Sequence, residues 1–256
     1  MHIAFSPPDI TEEEIAEVVD TLRSGWITTG PKTKLFEKQL AEYIGTNRVV
    51  CLNSATACLE MTLRLLGIGP GDEVITTAYT YTASASVVEH VGAKLVLVDV
   101  AKDSYEMDYE KLADAITEKT KAIIGVHLYG QPFEFNKVKE IADRHHLYVV
   151  EDCAQGHDAL YEGKMVGTLG DLGCFSFYPG KNLYAFGEGG SVTGYRKEYF
   201  DTIEMMKNQG CTVRYYHDMI GYNYRLEGIQ GAVLRLSLIH ISEPTRRPPI
   251  TYAVFC

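Results

Sequence analysis

The chain has 256 residues, 46% of them hydrophobic, enough to bury the core of one large domain or two small ones. Its net charge of −10 argues against a nucleic-acid partner, because phosphate neutralisation needs clustered Lys and Arg. The opening stretch MHIAFSPPDITEEEIAEVVD has no basic region followed by an apolar one, and no run approaches bilayer-spanning length, so the chain reads as soluble and cytoplasmic, with no membrane partner.

Thr11 to Arg23 carries Ile15, Val18, Val19 and Leu22 at helical spacing, and Thr11 with Glu14 forms a capping box. Glu12 to Glu14 make a solvated first turn that the helix dipole favours. SGWITTGPKT interrupts the pattern, which resumes from Lys34 to Ile44. From there short β-branched runs alternate with longer amphipathic ones. Strands are predicted at Val49–Leu52, Glu73–Thr76, Lys94–Val98, Ala122–His127 and Tyr148–Glu151. Helices are predicted at Ala55–Leu66, Thr82–Val91, Tyr109–Ile116 and Asn136–His145, with turn chemistry in GIGPGDE and YGQP. GDLGCFSF is strand-like, and helical spacing returns from Ile229 to Leu234. Such alternation means βαβ units and a largely parallel sheet covered on both faces. Ligands then collect outside the carboxyl ends of the strands.

The residues just after each strand are therefore the ones to read. NSATA, Asn53 to Ala57, opens a helix after the first strand. Small residues there expose unpaired N–H groups, and Ser54 and Thr56 add hydroxyls, which makes an anion seat; a plain Ser/Thr N-cap explains the same residues. In AYTYTAS, Tyr79 and Tyr81 alternate, so one faces the cleft and can stack on a planar ring, although core-facing tyrosines fit as well. Asp152 ends the fifth strand run and leaves a carboxylate at the sheet edge, unless it only caps the next helix.

Lys181 stands among aromatics in FSFYPGKNLYAFGEGG. Gly180-Lys181 is not a nucleotide-triphosphate loop: Phe175 replaces the required glycine, and Asn182 replaces the Ser or Thr that would hold magnesium. A snorkelling surface lysine is one reading and an enclosed amine nucleophile the other. The six cysteines form no C-x-x-C pair or zinc-spaced cluster and read as reduced, buried thiols. His145-His146 reads as a helix end rather than a metal site, and no metal is expected. His127, His157 and Glu188 receive no role, and the GEGG glycines read as serving tight backbone geometry after the lysine loop. Together, a helix N-terminus for phosphate, a stacking aromatic, a strand-end aspartate and an enclosed lysine match what pyridoxal phosphate (PLP) requires.

On SGWITTGPK, NSATA, GIGPGDEVITTAYTYTA, TKAIIGVHLYGQP, VEDCAQ, GCFSFYPGKNL, GEGG and GYNYRLEGIQGAVL, the chain resembles the nucleotide-sugar aminotransferases of the DegT/StrS type, within fold type I of the PLP enzymes. The resemblance covers roughly residues 5 to 235. It implies a three-layer αβα large domain with a mostly parallel mixed sheet over residues 1–235, which begins with a helical segment, and a small C-terminal domain that is missing here. It also implies Lys181 as the Schiff-base lysine and Asp152 as the partner of the pyridinium nitrogen. By the same resemblance Gln155 lies near the cofactor's 3-hydroxyl, Tyr81 stacks on the ring, and Ser54, Ala55, Thr56 and Ser176 seat the phosphate. Asn223 reaches a partner's phosphate across a homodimer with shared active sites. The implied reaction moves an amine from glutamate or glutamine to a nucleotide-linked keto-sugar, in amino-sugar biosynthesis for surface polysaccharide or related glycans. A PLP-dependent sugar dehydratase and a non-catalytic regulator of the same fold are the alternatives. Some relatives of the dehydratase kind carry histidine in place of the lysine; this chain keeps Lys181.

Residues 236–256 read as foreign. Helical periodicity is expected to stop, with Pro244, Pro248 and Pro249 breaking it. LSLIHISEPTR, Leu236 to Arg246, resembles the translation of a transposase-based sequencing adapter, and ITYAVFC, Ile250 to Cys256, resembles its outer arm. The tail is expected to supply no functional residue, and the truncated chain to be poorly stable and inactive.

Overall fold

The computed structural model describes residues 8 and 10–242 of the chain. The prolines at 244, 248 and 249, Cys256 and the ITYAVFC segment lie outside the described residues. The helices are α1 (Glu12–Ser24), α2 (Pro31–Ile44), α3 (Ala55–Leu65), α4 (Thr82–His90), α5 (Tyr109–Asp114), α6 (Phe135–His145), α7 (Lys197–Lys207) and α8 (Gly228–Ser242). The strands are β1 (Arg48–Leu52), β2 (Glu73–Thr77), β3 (Lys94–Val98), β4 (Thr120–Val126), β5 (Tyr148–Asp152), β6 (Leu160–Tyr161), β7 (Lys164–Met165), β8 (Leu172–Ser176), β9 (Gly190–Gly194), β10 (Cys211–Val213) and β11 (Tyr216–His217).

A seven-stranded sheet runs in the order β1-β9-β8-β5-β4-β2-β3. β9 is antiparallel to both of its neighbours, while the β5–β8, β4–β5, β2–β4 and β2–β3 pairs are parallel. The sheet is therefore mixed and mostly parallel. Alternation along the strands divides the core. Val50 and Leu52 of β1 face a cluster built on α3, α4 and α7. Val49 and Cys51 face the opposite side, where α2 and α8 supply Phe36, Leu40 and Leu234. α5 and α6 cover that second face further along, over Ile75, Ile123 and Val149. Three layers result, as period-2 strands buried on both faces require.

The capping box of α1 is present: Glu13 N donates to Thr11 Oγ1, and Thr11 N donates to Glu14 Oε2 at 2.8 Å. The expected solvated first turn needs correcting, because Glu14 is 2% exposed. Closing the box folds its carboxylate back onto the helix start. α6 ends at His146, which takes a left-handed conformation with φ 56°, so the histidine pair is a helix terminus. α8 also departs from expectation. It continues to Ser242, through the stretch expected to lose helical periodicity. Leu234, Leu238 and Ile241 recur at helical spacing, and Leu238 is 4% exposed against the α2 side of the core. Among the described residues no helix is long and apolar enough to cross a membrane.

This topology sets the carboxyl ends of β1, β2, β4, β5 and β8, with the start of antiparallel β9, along one edge. Register places Asp152 beside Val126 of β4 and Cys174 of β8.

Candidate active site

A cavity of about 470 Å³ opens at that edge, within the size range of small-molecule sites. Ser54, Ala55, Thr56, Tyr81, Asp152, Gln155, Ser176 and Lys181 all line it. Residues far apart in the chain thus meet because each ends or follows a strand.

The anion seat is built by α3. Ser54 is its N-cap in extended conformation, and its Oγ accepts Ala57 N–H at 3.1 Å. Ala55 and Thr56 are the first helical residues, so their N–H groups have no intrahelical acceptor and open into the cavity at the positive end of the dipole. Gly190, the first residue of β9, passes this helix start closely. A Cβ there would lie 2.5 Å from Ala55 N. Glycine keeps the seat open. Across it Ser176 ends β8, 9% exposed.

Asp152 is 5% exposed and held by two donors. Ala154 N donates to Oδ1 at 3.0 Å and Ser84 Oγ donates to Oδ2 at 2.7 Å. Lys181 sits in the loop after β8, its N–H bonded to Tyr178 O at 2.9 Å. Its Nζ takes part in no hydrogen bond or ion pair with the described residues. Burial pushes the amine below the ordinary lysine range, and the Asp152 carboxylate opposes that shift. Gln155 Oε1 accepts Tyr129 N–H at 2.8 Å, which leaves the carboxamide NH2 as its remaining donor. Tyr81, the N-cap of α4, is 79% exposed at the mouth.

Tyr79 and Tyr81 part company as alternation requires. Tyr81 lines this cavity, whereas Tyr79 lines an adjoining one of about 690 Å³ and stacks on Tyr105 at 5.5 Å. Asn223 is not brought into the Lys181 cavity; it is exposed and forms an antiparallel bridge with Asn208. Sequence reading missed Thr80, Tyr178 and the buried Ser84, and gave Glu188 no role although it too lines the cavity. Ser84 follows Tyr81 by one helical turn, which is the signal that would have found it.

The neighbouring histidines are structural. His127 Nε2 meets Glu151 Oε2 at 2.9 Å, and Glu151 also accepts N–H bonds from Gly167, Leu169 and Gly170 at 2.8 Å each. Cys153 lies close enough to complete a ligand trio, but the carboxylate is already saturated by four donors and the thiol is pushed well above its usual range by burial. His157 packs against Phe175 and Phe177 and is pushed down to about 3 by burial and then by the Lys181 charge, so its ring is neutral.

Uncommitted first-turn N–H groups, an open glycine cradle, a carboxylate at the cavity wall and an amine with no partner among the described residues are the groups that PLP needs, so the residues present fit it. A profile of the DegT/DnrJ/EryC1/StrS aminotransferase family matches residues 8–250. The chain is 43% identical over 231 residues to the dTDP-3-amino-3,4,6-trideoxy-alpha-D-glucose transaminase of Streptomyces venezuelae, covering 90% of this chain and 60% of that protein. It is 38% identical over 235 residues to the GDP-perosamine synthase of Escherichia coli O157:H7, covering 91% of this chain and 64% of that protein. The chain therefore spans less than two thirds of the length of these curated relatives. The apo form of a putative sugar aminotransferase from Streptococcus pneumoniae superimposes with a TM-score of 0.91 at 41% identity, over 95% of this chain and 67% of that one. That protein has also been solved in PLP and PMP forms. The fold is that of the fold type I PLP aminotransferases. By sequence along nearly its whole length and by the architecture of its cavity, the chain belongs to the DegT/DnrJ/EryC1/StrS aminotransferase family.

Proposed function

We propose that this chain is the cofactor-binding part of a cytoplasmic PLP-dependent aminotransferase acting on a nucleotide-linked keto-sugar, with glutamate or glutamine as donor, in amino-sugar biosynthesis. The observation that supports this most is the meeting of Lys181, Asp152 and the start of α3 in one cavity. PLP, when bound, supplies an electron sink for the carbon that carries the amine. Lys181 holds it through Nζ and, once released by the incoming amine, moves the proton at that carbon. Its burial favours the neutral amine that such transfer needs. Asp152 holds the proton on the ring nitrogen. Ser54, Ala55, Thr56 and Ser176 bind the phosphate, Tyr81 stacks on the ring, and Gln155 donates toward the 3-hydroxyl. Asn223 serves the partner's site in a homodimer.

The relatives named above act on dTDP- and GDP-linked sugars by their names, so the nucleotide is left open here. A panel of keto-sugar nucleotides with glutamate or glutamine, assayed for amine transfer, tests the substrate class. Transfer to at least one sugar nucleotide is expected of the full-length enzyme. Activity confined to free keto acids would remove the sugar reading. Residues 236–256 are read as adapter-derived on their resemblance alone, although α8 carries Leu238 of this stretch into the core. An independent read of the source DNA across codon 236 decides this: recovery of the same open frame contradicts it.

A further inference from the structure

Asp152 is backed by a line of hydroxyls. Ser84, 0% exposed, donates from Oγ to Asp152 Oδ2 at 2.7 Å, and Thr80 Oγ1 lies 3.0 Å from Ser84 Oγ. A hydroxyl has a single proton to give, and an ionised carboxylate only accepts. Ser84 therefore donates to Asp152, and Thr80 donates to Ser84. With Ala154 N–H on Oδ1, each carboxylate oxygen has a donor, and the two together fix the plane of the carboxylate.

We propose that the Thr80–Ser84 hydroxyl pair is a positioning relay for Asp152, holding the carboxylate anionic and aimed at the ring nitrogen of the cofactor so that the proton stays on that nitrogen. The inference rests on the PLP reading above. The relay is set by α4. Tyr81 is the N-cap of that helix and Ser84 lies in its first turn, where Ser84 N bonds Tyr81 O at 3.2 Å. One helix start thus carries both the stacking ring and the donor that fixes the carboxylate.

The groups around Asp152 leave this task to Ser84. Lys181 faces it from the loop after β8 and offers a charge but no hydrogen bond. Glu151, next on β5, is engaged by Gly167, Leu169, Gly170 and His127. The thiols of Cys153 and Cys174 are pushed up by burial and stay neutral. Among the described residues Ser84 is the side-chain donor that Asp152 has.

Losing that donor favours a neutral acid beside a neutral ring over the ion pair. An uncharged ring withdraws fewer electrons from its link to Lys181, so that link holds its proton to higher pH. The test uses the 256-residue chain as wild type, Ser84→Ala, Ser84→Thr and Thr80→Val. Each is titrated with PLP by visible absorbance, and the loaded protein is then titrated with pH. Ser84→Ala is expected to bind PLP about tenfold more weakly and to move the midpoint of the visible band up by about one pH unit. Thr80→Val, at a half-buried position, should move it the same way by less, and Ser84→Thr should stay near wild type. Unchanged affinity and midpoint in Ser84→Ala would overturn the relay, as would a Ser84→Thr variant as impaired as the alanine, which would mean packing rather than the hydroxyl matters. Should Ser84→Ala fail to fold, Thr80→Val decides by the same band. A wild type that binds no PLP removes the cofactor reading and the relay together, whereas a binding wild type with silent variants removes the relay alone.

Discussion

At the scale of the residue, Lys181 is set apart from the surface lysines by its burial beside the Asp152 carboxylate. Desolvation disfavours its ammonium form, and the Asp152 carboxylate restores part of the loss. More of the amine is neutral at a given pH than in water, which is what a nucleophile and proton carrier requires. Reductive methylation followed by peptide mass spectrometry should give Lys181 a reactivity midpoint below the ordinary value of 10.5, with exposed Lys197 as internal control. In Asp152→Asn the midpoint should fall further, because the opposing carboxylate is gone. A Lys181 midpoint at or above that of Lys197 contradicts the account. The same shift bears on stability. The folded chain binds the proton less tightly than the unfolded chain, so the cost is fully present below the folded pKa and fades as pH rises to the unfolded one. Lys181→Met should accordingly raise the melting temperature at pH 7, a common trade at functional sites.

At the scale of the element, the edge strand β1 shows how the sheet that carries the site is finished. Among the described residues its outer side meets no strand, only an isolated antiparallel bridge from Leu52 to Arg225, and an unpaired edge invites association. Glu37 of α2 accepts Cys51 N–H at 2.9 Å, and Lys207 of α7 donates to Cys51 O at 3.1 Å. The two side chains pair with each other at 3.3 Å, and Lys207 also pairs with Glu204 at 3.2 Å. Lys207 is 2% exposed, so Lys207→Met removes the buried cation and leaves buried Glu37 and half-buried Glu204 to share Lys34, which lies 3.0 Å and 2.6 Å from them. A loss of about 1–3 kcal/mol in denaturant unfolding is expected, because Cys51 O and the Glu37 carboxylate each lose a buried donor. A change under about 1 kcal/mol, the value of an exposed pair, would show the network to be idle. The alternation of β-branched and amphipathic runs made β1 to β5 and α1 to α6 legible, with ends shifted by a residue or a few. β9 was not legible: Gly190 and Gly194 bound a short GSVTG run whose role comes from fitting between β1 and β8. α7 has Arg196 as an N-cap that makes no side-chain capping bond, and the loss of periodicity expected after residue 235 ignored the Leu234–Leu238–Ile241 stripe of α8. That Lys181 and Asp152 would meet at the sheet edge was legible, because chain position puts both after or at the end of a strand. Ser84 was only half legible: its spacing one turn after Tyr81 marks the helix face, but not that its hydroxyl meets Asp152.

At the scale of the whole molecule, Asn223 lies apart from the Lys181 cavity, near an exposed hairpin whose Tyr215, Tyr216 and nearby Ile220 are 78%, 70% and 88% exposed. That surface fits the proposed homodimer, in which Asn223 serves the other subunit. Asn223→Ala should weaken PLP binding about tenfold. Mixed with Lys181→Ala, it should recover native affinity in the one site per dimer that has both residues. A fully active monomer in sedimentation would contradict the sharing. The central claim is that Lys181 carries the cofactor, and the most direct measurement is borohydride reduction of the PLP-treated chain followed by peptide mapping. A reduced pyridoxyl group is expected on Lys181 and absent from Lys181→Ala; an adduct of equal yield in that variant, or one mapped to another lysine, would contradict this role.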